Sequence, residues 1–383
     1  MEKFNVVFNQ SAQFVVKQFF KQVVARAGLK PRPFIMLKEK YCYTFYSIIC
    51  LIASLVIVSC GQPVIHKETR MMMGTMVSVE IVSDSPGIIA GIMEKVWSEA
   101  ERLERVFSRY IPESEISLIN REAGHRPVPI NDEMMEVLSR AEDISRITDG
   151  AFDISVGPLM KKWGFFPERE GQLPSEAELA EVITRVGWQA IELNRSERTV
   201  HLLKPGMEID LGALAKGYIV DKLAALLLEE GIENALVNAG GDIYCLGEYP
   251  GGRSWRIGME HPRDEDEILT VLELKNRAVA TSGDYRNYFI RSRLRYSHII
   301  DPHTGRPAQS KVVEVSVMAP DCLTADGLAT AIFVMGADKG IDYLLMPSKE
   351  RKVGFEDAIG KCHNPEDQHH NQENFIRGAE RLA

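Results

Sequence analysis

Long apolar runs, paired cysteines and basic clusters are all scarce in this chain of 383 residues. Its six cysteines form no CxxC pair, so nothing reads as a zinc ribbon or a dithiol redox motif. Lysine and arginine number 45 against 54 acidic residues, a formal net charge of −9, with no basic stripe and no interleaved aromatics. A general nucleic-acid binder needs such a surface, and that class of partner is excluded. No internal repeat occurs, nor the GxxxxGK[ST] order of a P-loop. The longest apolar run, Tyr46 to Val58, has about a dozen residues, short of the roughly 20 that a membrane-spanning helix wants. What remains is an ordinary globular balance, 45% hydrophobic and 26% charged, with ample length for a core.

The apolar run follows Lys38 and Lys40 and ends in Ile57-Val58-Ser59-Cys60. A basic start and an apolar centre of this length suit a signal peptide. The last four residues resemble a bacterial lipobox, in which the cysteine, here Cys60, is lipidated. The expected organisation is an N-terminal extension over 1–35 from a start codon placed too early, a lipoprotein signal peptide over 36–59, and a tether over 60–67. An uncleaved membrane anchor is the competing reading. The lipobox implies a bacterial cell envelope location, lipid-anchored and facing the periplasm or the outside. Cys245, Cys322 and Cys362 would remain after cleavage, too dispersed for a metal site, and no structural disulfide is expected.

Residues 76–82 alternate as a strand should. Apolar positions 89, 92, 93, 96, 100, 103 and 107 make a helical stripe. Asn131 is a plausible N-cap for a helix over 132–148, and Pro174-Ser175-Glu176-Ala177-Glu178 opens another with a capping sequence. A strand is predicted over 207–210, running through Gly212 into a helix over roughly 213–230. Further strands are expected over 234–246, interrupted by Gly240-Gly241, and around 255–259, 269–274, 296–300 and 312–318, with a last helix over 323–334. Strands and helices intersperse without βαβ regularity, so the fold class is α+β. From 348 to 383 the chain reads as an atypical polar tail with no clear periodicity.

Several segments carry chemistry. In Asp210-Leu211-Gly212-Ala213-Leu214-Ala215-Lys216-Gly217 a helix N-terminus could attract an anion, Lys216 could add a positive charge for a phosphate, and the Ala213 carbonyl is free for a cation. An ordinary strand-to-helix turn would look the same. In Ala325-Asp326-Gly327-Leu328-Ala329-Thr330, the spacing of four puts Asp326 and Thr330 on one helix face, a pair of oxygen donors suited to Mg²⁺ or simply a helix cap. The loop Thr148 to Pro158 offers amides and Asp153 to a heterocycle edge. The glycine pair in Val237-Asn238-Ala239-Gly240-Gly241-Asp242 implies a bulge or a close approach to the backbone. In Tyr296 to Gly305, His298 shares a strand face with Ile300 and could act as a base, or could be structural.

Read together, Met73-Gly74-Thr75, Phe107-Ser108-Arg109-Tyr110 with Ser114-Glu115-Ile116-Ser117, TDGAFDISVGP, DLGALAKG, NAGGD, ATSGDYRNYF, SHIIDPHTG and ADGLAT stand in the order seen in the FAD:protein FMN transferase (ApbE) family. The resemblance spans about residues 68–345. It implies a single two-lobed α+β catalytic domain, ApbE-like and T-fold-related, over 68–347, with the flavin site between the lobes. It further implies flavin-nucleotide contacts at Met73, Tyr110, Ala151, Phe152, Asp153, Asp210, Lys216 and Ile300. Magnesium ligands would be Ala213, through its carbonyl, Asp326 and Thr330. Gly327 is usually alanine in the family, and Ala329 stands where some relatives have a second carboxylate.

The implied reaction is Mg²⁺-dependent transfer of FMN from FAD to a threonine or serine hydroxyl of an acceptor protein, with release of AMP. His298, Lys216 and Asp326 are the expected catalytic residues. The expected acceptor is a flavoprotein subunit of an extracytoplasmic or membrane redox system. Two alternatives stand beside it: a Mg²⁺-dependent FAD pyrophosphatase, which uses the same site, and a flavin-binding lipoprotein without catalysis, which would not need Asp326 and Thr330.

Overall fold

The computed structural model describes residues 64–166, 171–345 and 359–363. The extension 1–35, the signal peptide 36–59, Cys60 and most of the 348–383 tail lie outside them. Strands β1 (Val64–Met72) and β2 (Thr75–Ser83) form a hairpin, followed by α1 (Pro86–Phe107), α2 (Glu115–Arg121) and β3 (Val128–Pro129). Next come α3 (Asp132–Ile147), α4 (Gly157–Trp163), α5 (Glu176–Ile183), β4 (Ile191–Asn194), β5 (Thr199–Leu202) and α6 (Ala215–Glu229). The chain continues through β6 (Ala235–Ala239), β7 (Asp242–Leu246), β8 (Trp255–His261), β9 (Asp264–Leu274) and β10 (Arg277–Gly283). The last elements are β11 (Tyr288–Arg291), β12 (Leu294–Ser297), β13 (Ile300–Asp301), β14 (Arg306–Pro307), β15 (Glu314–Ala319), α7 (Cys322–Met335), α8 (Ala337–Leu345) and β16 (Ile359–His363).

Seven strands make the main sheet in the order β1-β2-β6-β7-β10-β15-β16, every pairing antiparallel. The alternation read in β2 is real: Val77, Val79 and Ile81 are buried, while their neighbours are more exposed. Along α1 every position of the predicted stripe is buried, from Ile89 to Phe107. With α6 and α7 it covers one sheet face, in one large core that includes Val237, Ala280 and Val317. The opposite face buries Leu236, Ile243, Cys245 and Val279 beneath the β8–β9 hairpin, whose Trp255 and Leu272 complete a second cluster. A third, smaller cluster joins α4 and α5 to Ile300 through Leu159, Trp163, Leu179 and Val182. Helices and antiparallel strands within one unit bear out the α+β class.

Local chemistry behaves as read at two helix starts. Asn131 accepts the Met134 amide at 2.7 Å, and Ser175 with Glu178 forms a complete capping box. Cys245 and Cys322 are free and buried.

Four expectations need correction. Residues 207–210 are not a strand and make only one isolated bridge, Val156 to Glu208. The reason is Asn120 on α2. Its side-chain amide donates to the Ile209 carbonyl (3.0 Å) and accepts the Ile209 amide (2.7 Å), taking the place of a partner strand. The 296–300 strand is broken at His298, whose amide donates to the Asn287 carbonyl (3.0 Å), outside the ladders of β12 and β13. Gly240-Gly241 interrupts the strand region as expected, but not as a bulge. It is the two-residue turn between β6 and β7, with φ of 64° and 100° that favour glycine. Finally, residues 359–363 of the expected polar tail form β16, hydrogen-bonded to β15 at the sheet edge.

Candidate active site

The site begins with a close approach between α6 and α7. A Cβ built on Gly217 would lie 2.5 Å from the Cys322 carbonyl oxygen and 2.8 Å from the Leu323 Cα, so only glycine permits the contact. On the next turn of α6, Asp221 accepts the amides of Cys322 (2.7 Å) and Leu323 (2.9 Å), capping α7 across the interface. Burial raises the Asp221 carboxyl to about 7, against the pull of those two amides.

This packing brings Lys216 between two buried carboxylates. Its ammonium pairs with Asp242, the first residue of β7, and with Asp326 on α7 at 3.2 Å. Burial works to lower the Lys216 pKa, but the attraction of the two carboxylates prevails and holds it above the ordinary lysine value. Asp326 is pushed up, chiefly by burial and then by the Asp242 charge, with Lys216 opposing. With both carboxylates ionised, one ammonium leaves this buried cluster with a net negative charge.

The donors implied for a metal fit that role. Both hydrogen bonds of Asp326 fall on Oδ2, from Lys216 and from the Gly217 amide at 3.4 Å, so Oδ1 is uncommitted. Because Gly217 donates there, the Ala213 carbonyl lacks its regular helical partner, and α6 starts only at Ala215. Thr330 lies one turn beyond Asp326 on the same face, its hydroxyl 3.0 Å from that of Ser282 on β10. All these donors are oxygens, the set a hard divalent cation takes. Among the described residues no group of three or more His, Cys, Asp or Glu side chains could hold a metal. A cation here would therefore depend on the carbonyl and hydroxyl, with water or substrate oxygens completing its shell.

A second set of residues surrounds Asp210. Arg109 pairs with Asp210 at 2.5 Å and with Glu208 at 3.7 Å, and its guanidinium stacks 3.7 Å from the centre of the Phe166 ring. Tyr110, next along, is exposed, and Asp210 also accepts the Gly212 amide at 2.8 Å. Met73 turns the β1–β2 hairpin with φ of 53°, its amide held by Glu104 at 2.8 Å. In the 148–158 loop the Phe152 ring is in the core and its amide is taken by Thr148 Oγ1 (3.2 Å), while Ala151 donates to the Thr148 carbonyl. A ligand reaching 151–152 would find both amides already engaged. Asp153 is raised by burial, opposed by its bonds to Ser155 and to the Trp188 amide (2.9 Å). It orders the loop. His303 ties this loop to the β13–β14 turn by donating from Nε2 to the Asp149 carbonyl at 3.0 Å. Ile300 is buried in the third cluster.

His298 belongs to the same electrostatic neighbourhood. Its Nδ1 is 3.0 Å from the Asn287 carbonyl, which can only accept, so Nδ1 carries the proton and Nε2 keeps a free lone pair. Burial draws its pKa down to about 4; the Asn287 bond and Asp210 oppose this, and the Lys216 charge adds to it. The ring is neutral at physiological pH.

The structure thus gathers Lys216, Asp326, Thr330 and Ala213 around one centre, and Asp210 and Lys216 act on His298 with opposite sign. Three participants carried no expected role: Asp242, Ser282 and Arg109. Each falls inside a quoted motif, but their partners are 26, 48 and 101 positions away in sequence.

The sequence profile of the ApbE family matches residues 73–352. The FAD:protein FMN transferase of Vibrio cholerae is 37% identical over 304 residues, which are 77% of this chain and 89% of that protein. Its counterpart from Haemophilus influenzae is 36% identical over 293 residues, 72% of this chain and 84% of that one. Among solved structures, the ApbE protein of Thermotoga maritima superposes with a TM-score of 0.71 at 32% identity, covering 78% of this chain and 94% of its own. The flavin transferase ApbE from Vibrio cholerae superposes with a TM-score of 0.68 at 32% identity, with coverage of 78% and 94%.

Proposed function

Since this chain belongs to the ApbE family, we propose that its buried Lys216–Asp242–Asp326 centre and His298 carry out the transfer of FMN from FAD to an acceptor protein. The chain is an FAD:protein FMN transferase. An acceptor hydroxyl attacks the FMN-side phosphorus of FAD, a new P–O bond forms, the bond to the AMP phosphate breaks, and AMP leaves. Such a reaction needs positioning and charge neutralisation more than covalent help.

His298 would take the hydroxyl proton on Nε2, since the Asn287 carbonyl holds the ring's own proton on Nδ1. Lys216 holds Asp242 and Asp326 in register and neutralises part of their charge. Ala213, Asp326 and Thr330 would hold Mg²⁺, which supplies charge neutralisation to the pyrophosphate. Around the flavin, Met73, Tyr110, Ala151, Phe152, Asp153, Asp210 and Ile300 would form the walls. Lipidation at Cys60 would anchor the enzyme in the cell envelope, beside acceptors that are flavin-bearing subunits of membrane or extracytoplasmic redox systems. Labelling with radioactive palmitate, retained by the native chain and lost in Cys60→Ala, tests the anchor.

The observation that carries this reading is the buried, net-negative cluster with uncommitted oxygens, beside a neutral histidine with a free nitrogen. The decisive experiment is mass spectrometry of a candidate acceptor after incubation with the chain from residue 61 onward, FAD and Mg²⁺. A mass gain of one FMN residue, abolished by EDTA, is expected. Free FMN and AMP with no gain would mean a pyrophosphatase, and intact FAD a flavin-binding protein.

A further inference from the structure

We propose that Arg286 is a phosphate-binding residue of this site, the cation that balances the FAD pyrophosphate over the β6–β7 turn. The inference deepens the transferase reading and rests on it.

Positive charges around the site are mostly spent. Lys216 is shared between two carboxylates, Arg109 is held by Asp210 and Glu208, and Lys161 by Glu208 at 3.0 Å. Arg286 differs. No carboxylate is in ion-pair distance of it among the described residues. The one adjacent in sequence, Asp284, is taken by Arg263 at 2.7 Å and Arg295 at 3.5 Å. The Arg286 guanidinium is exposed and stands 5.6 Å from the centre of the Tyr285 ring. Tyr285 in turn donates its hydroxyl to the buried Glu314 at 2.5 Å, which fixes the ring that Arg286 rests beside.

Its position is set by a missing side chain. A Cβ on Gly241 would lie 3.0 Å from Arg286 Nη2, so the guanidinium occupies space that any other residue would contest. Gly241 directly precedes Asp242, and consecutive Cα atoms are about 3.8 Å apart. Arg286 therefore stands over the turn that delivers Asp242 to the Lys216–Asp242–Asp326 centre.

Charge balance gives it a task. With both carboxylates ionised, as ligation of a cation requires, the centre would carry one net negative charge, against a pyrophosphate bearing two more. A divalent cation held there would turn the centre to a single positive charge, and one further cation would match the substrate. The planar guanidinium fork suits phosphate oxygens, and an exposed arginine held by the Tyr285 hydroxyl and by no carboxylate loses no ion pair in turning to them.

The test compares FAD with riboflavin, which shares the ring system and lacks the phosphates, by flavin fluorescence titration with and without Mg²⁺. Arg286→Met is expected to weaken FAD binding about ten- to a hundredfold, the range of a hydrogen bond to a charged group, and to leave riboflavin binding unchanged. Arg286→Lys should recover part of the loss. Unchanged FAD affinity in Arg286→Met, equal losses for both flavins, or a lysine variant as weak as the methionine one would overturn the assignment. Transfer by the unsubstituted chain is measured alongside. If that chain binds FAD but flavinylates nothing, the transferase reading fails, whatever Arg286 does.

Discussion

Replacing Gly217 by alanine should loosen the active site from outside it. The added methyl group would meet backbone on α7, at 2.5 Å from the Cys322 oxygen and 2.7 Å from its carbonyl carbon. Backbone cannot rotate aside as a side chain can. To reach an ordinary contact of about 3.4 Å the two helices must separate by roughly 0.9 Å, and overpacking of this kind costs about 1–3 kcal/mol. Alanine returns up to about 1 kcal/mol in helix propensity, which leaves a net loss of roughly 1–2 kcal/mol. The same movement carries the Gly217 amide out of reach of Asp326, now at 3.4 Å, and lengthens the 3.2 Å contact from Lys216. Thermal denaturation should record a fall of a few degrees, and single-turnover FMN transfer should slow. Gly91 on the exposed side of α1 supplies the control. Nothing lies within 4 Å of a Cβ there, so Gly91→Ala should stabilise by up to about 1 kcal/mol with unchanged transfer. A Gly217→Ala protein as stable and as active as the native one would refute the close-packing argument.

Three further outcomes are expected. Asp326→Ala should abolish FMN transfer while circular dichroism reports an intact fold; undiminished transfer at limiting Mg²⁺ would sink the metal assignment. Lys216→Met leaves Asp242 and Asp326 buried without their cation, a loss of about 3–5 kcal/mol by denaturant titration, and weakens FAD binding; adding Asp242→Asn should restore at least half of the stability. For His298, a folded pKa lowered to about 4 keeps the base unprotonated as pH falls from 8 to 5, so kcat/KM should lose its acid limb near 4. A limb near 6.5 would show a histidine of ordinary environment. His298→Asn should slow transfer by about 10²–10⁴-fold, with FAD affinity retained.

The elements that could be read from sequence are those specified within a few residues. The α1 stripe, the Asn131 cap and the Ser175 capping box each depend on neighbours one turn away, so periodicity and capping chemistry suffice. The pairing of Asp326 and Thr330 on α7 was equally local, since positions 326 and 330 share a face in any helix. What escaped depends on distant partners. Residues 207–210 look like a strand because their side chains alternate, but the partner is a single asparagine side chain 89 positions away. Asp242 became part of the centre only because a hairpin turn and the α6–α7 contact deliver it to Lys216. Lys216, read as a free charge for a phosphate, is committed to Asp242 and Asp326, and the cation proposed for the phosphates is Arg286.

The main sheet has one property with a consequence for how the protein is made. Its strand order follows chain order from β1 to β16, with no strand inserted between two that already pair. A chain emerging amino-terminus first can therefore zip the sheet together by adding each strand to a waiting edge, although residues 84 to 234 intervene between β2 and β6. Asp326 and Thr330 arrive on α7, after six of the seven strands have been synthesised. The half of the site proposed to bind metal is thus among the last parts to take shape, and a nascent chain cannot gather all its proposed ligands until nearly the whole scaffold has been synthesised.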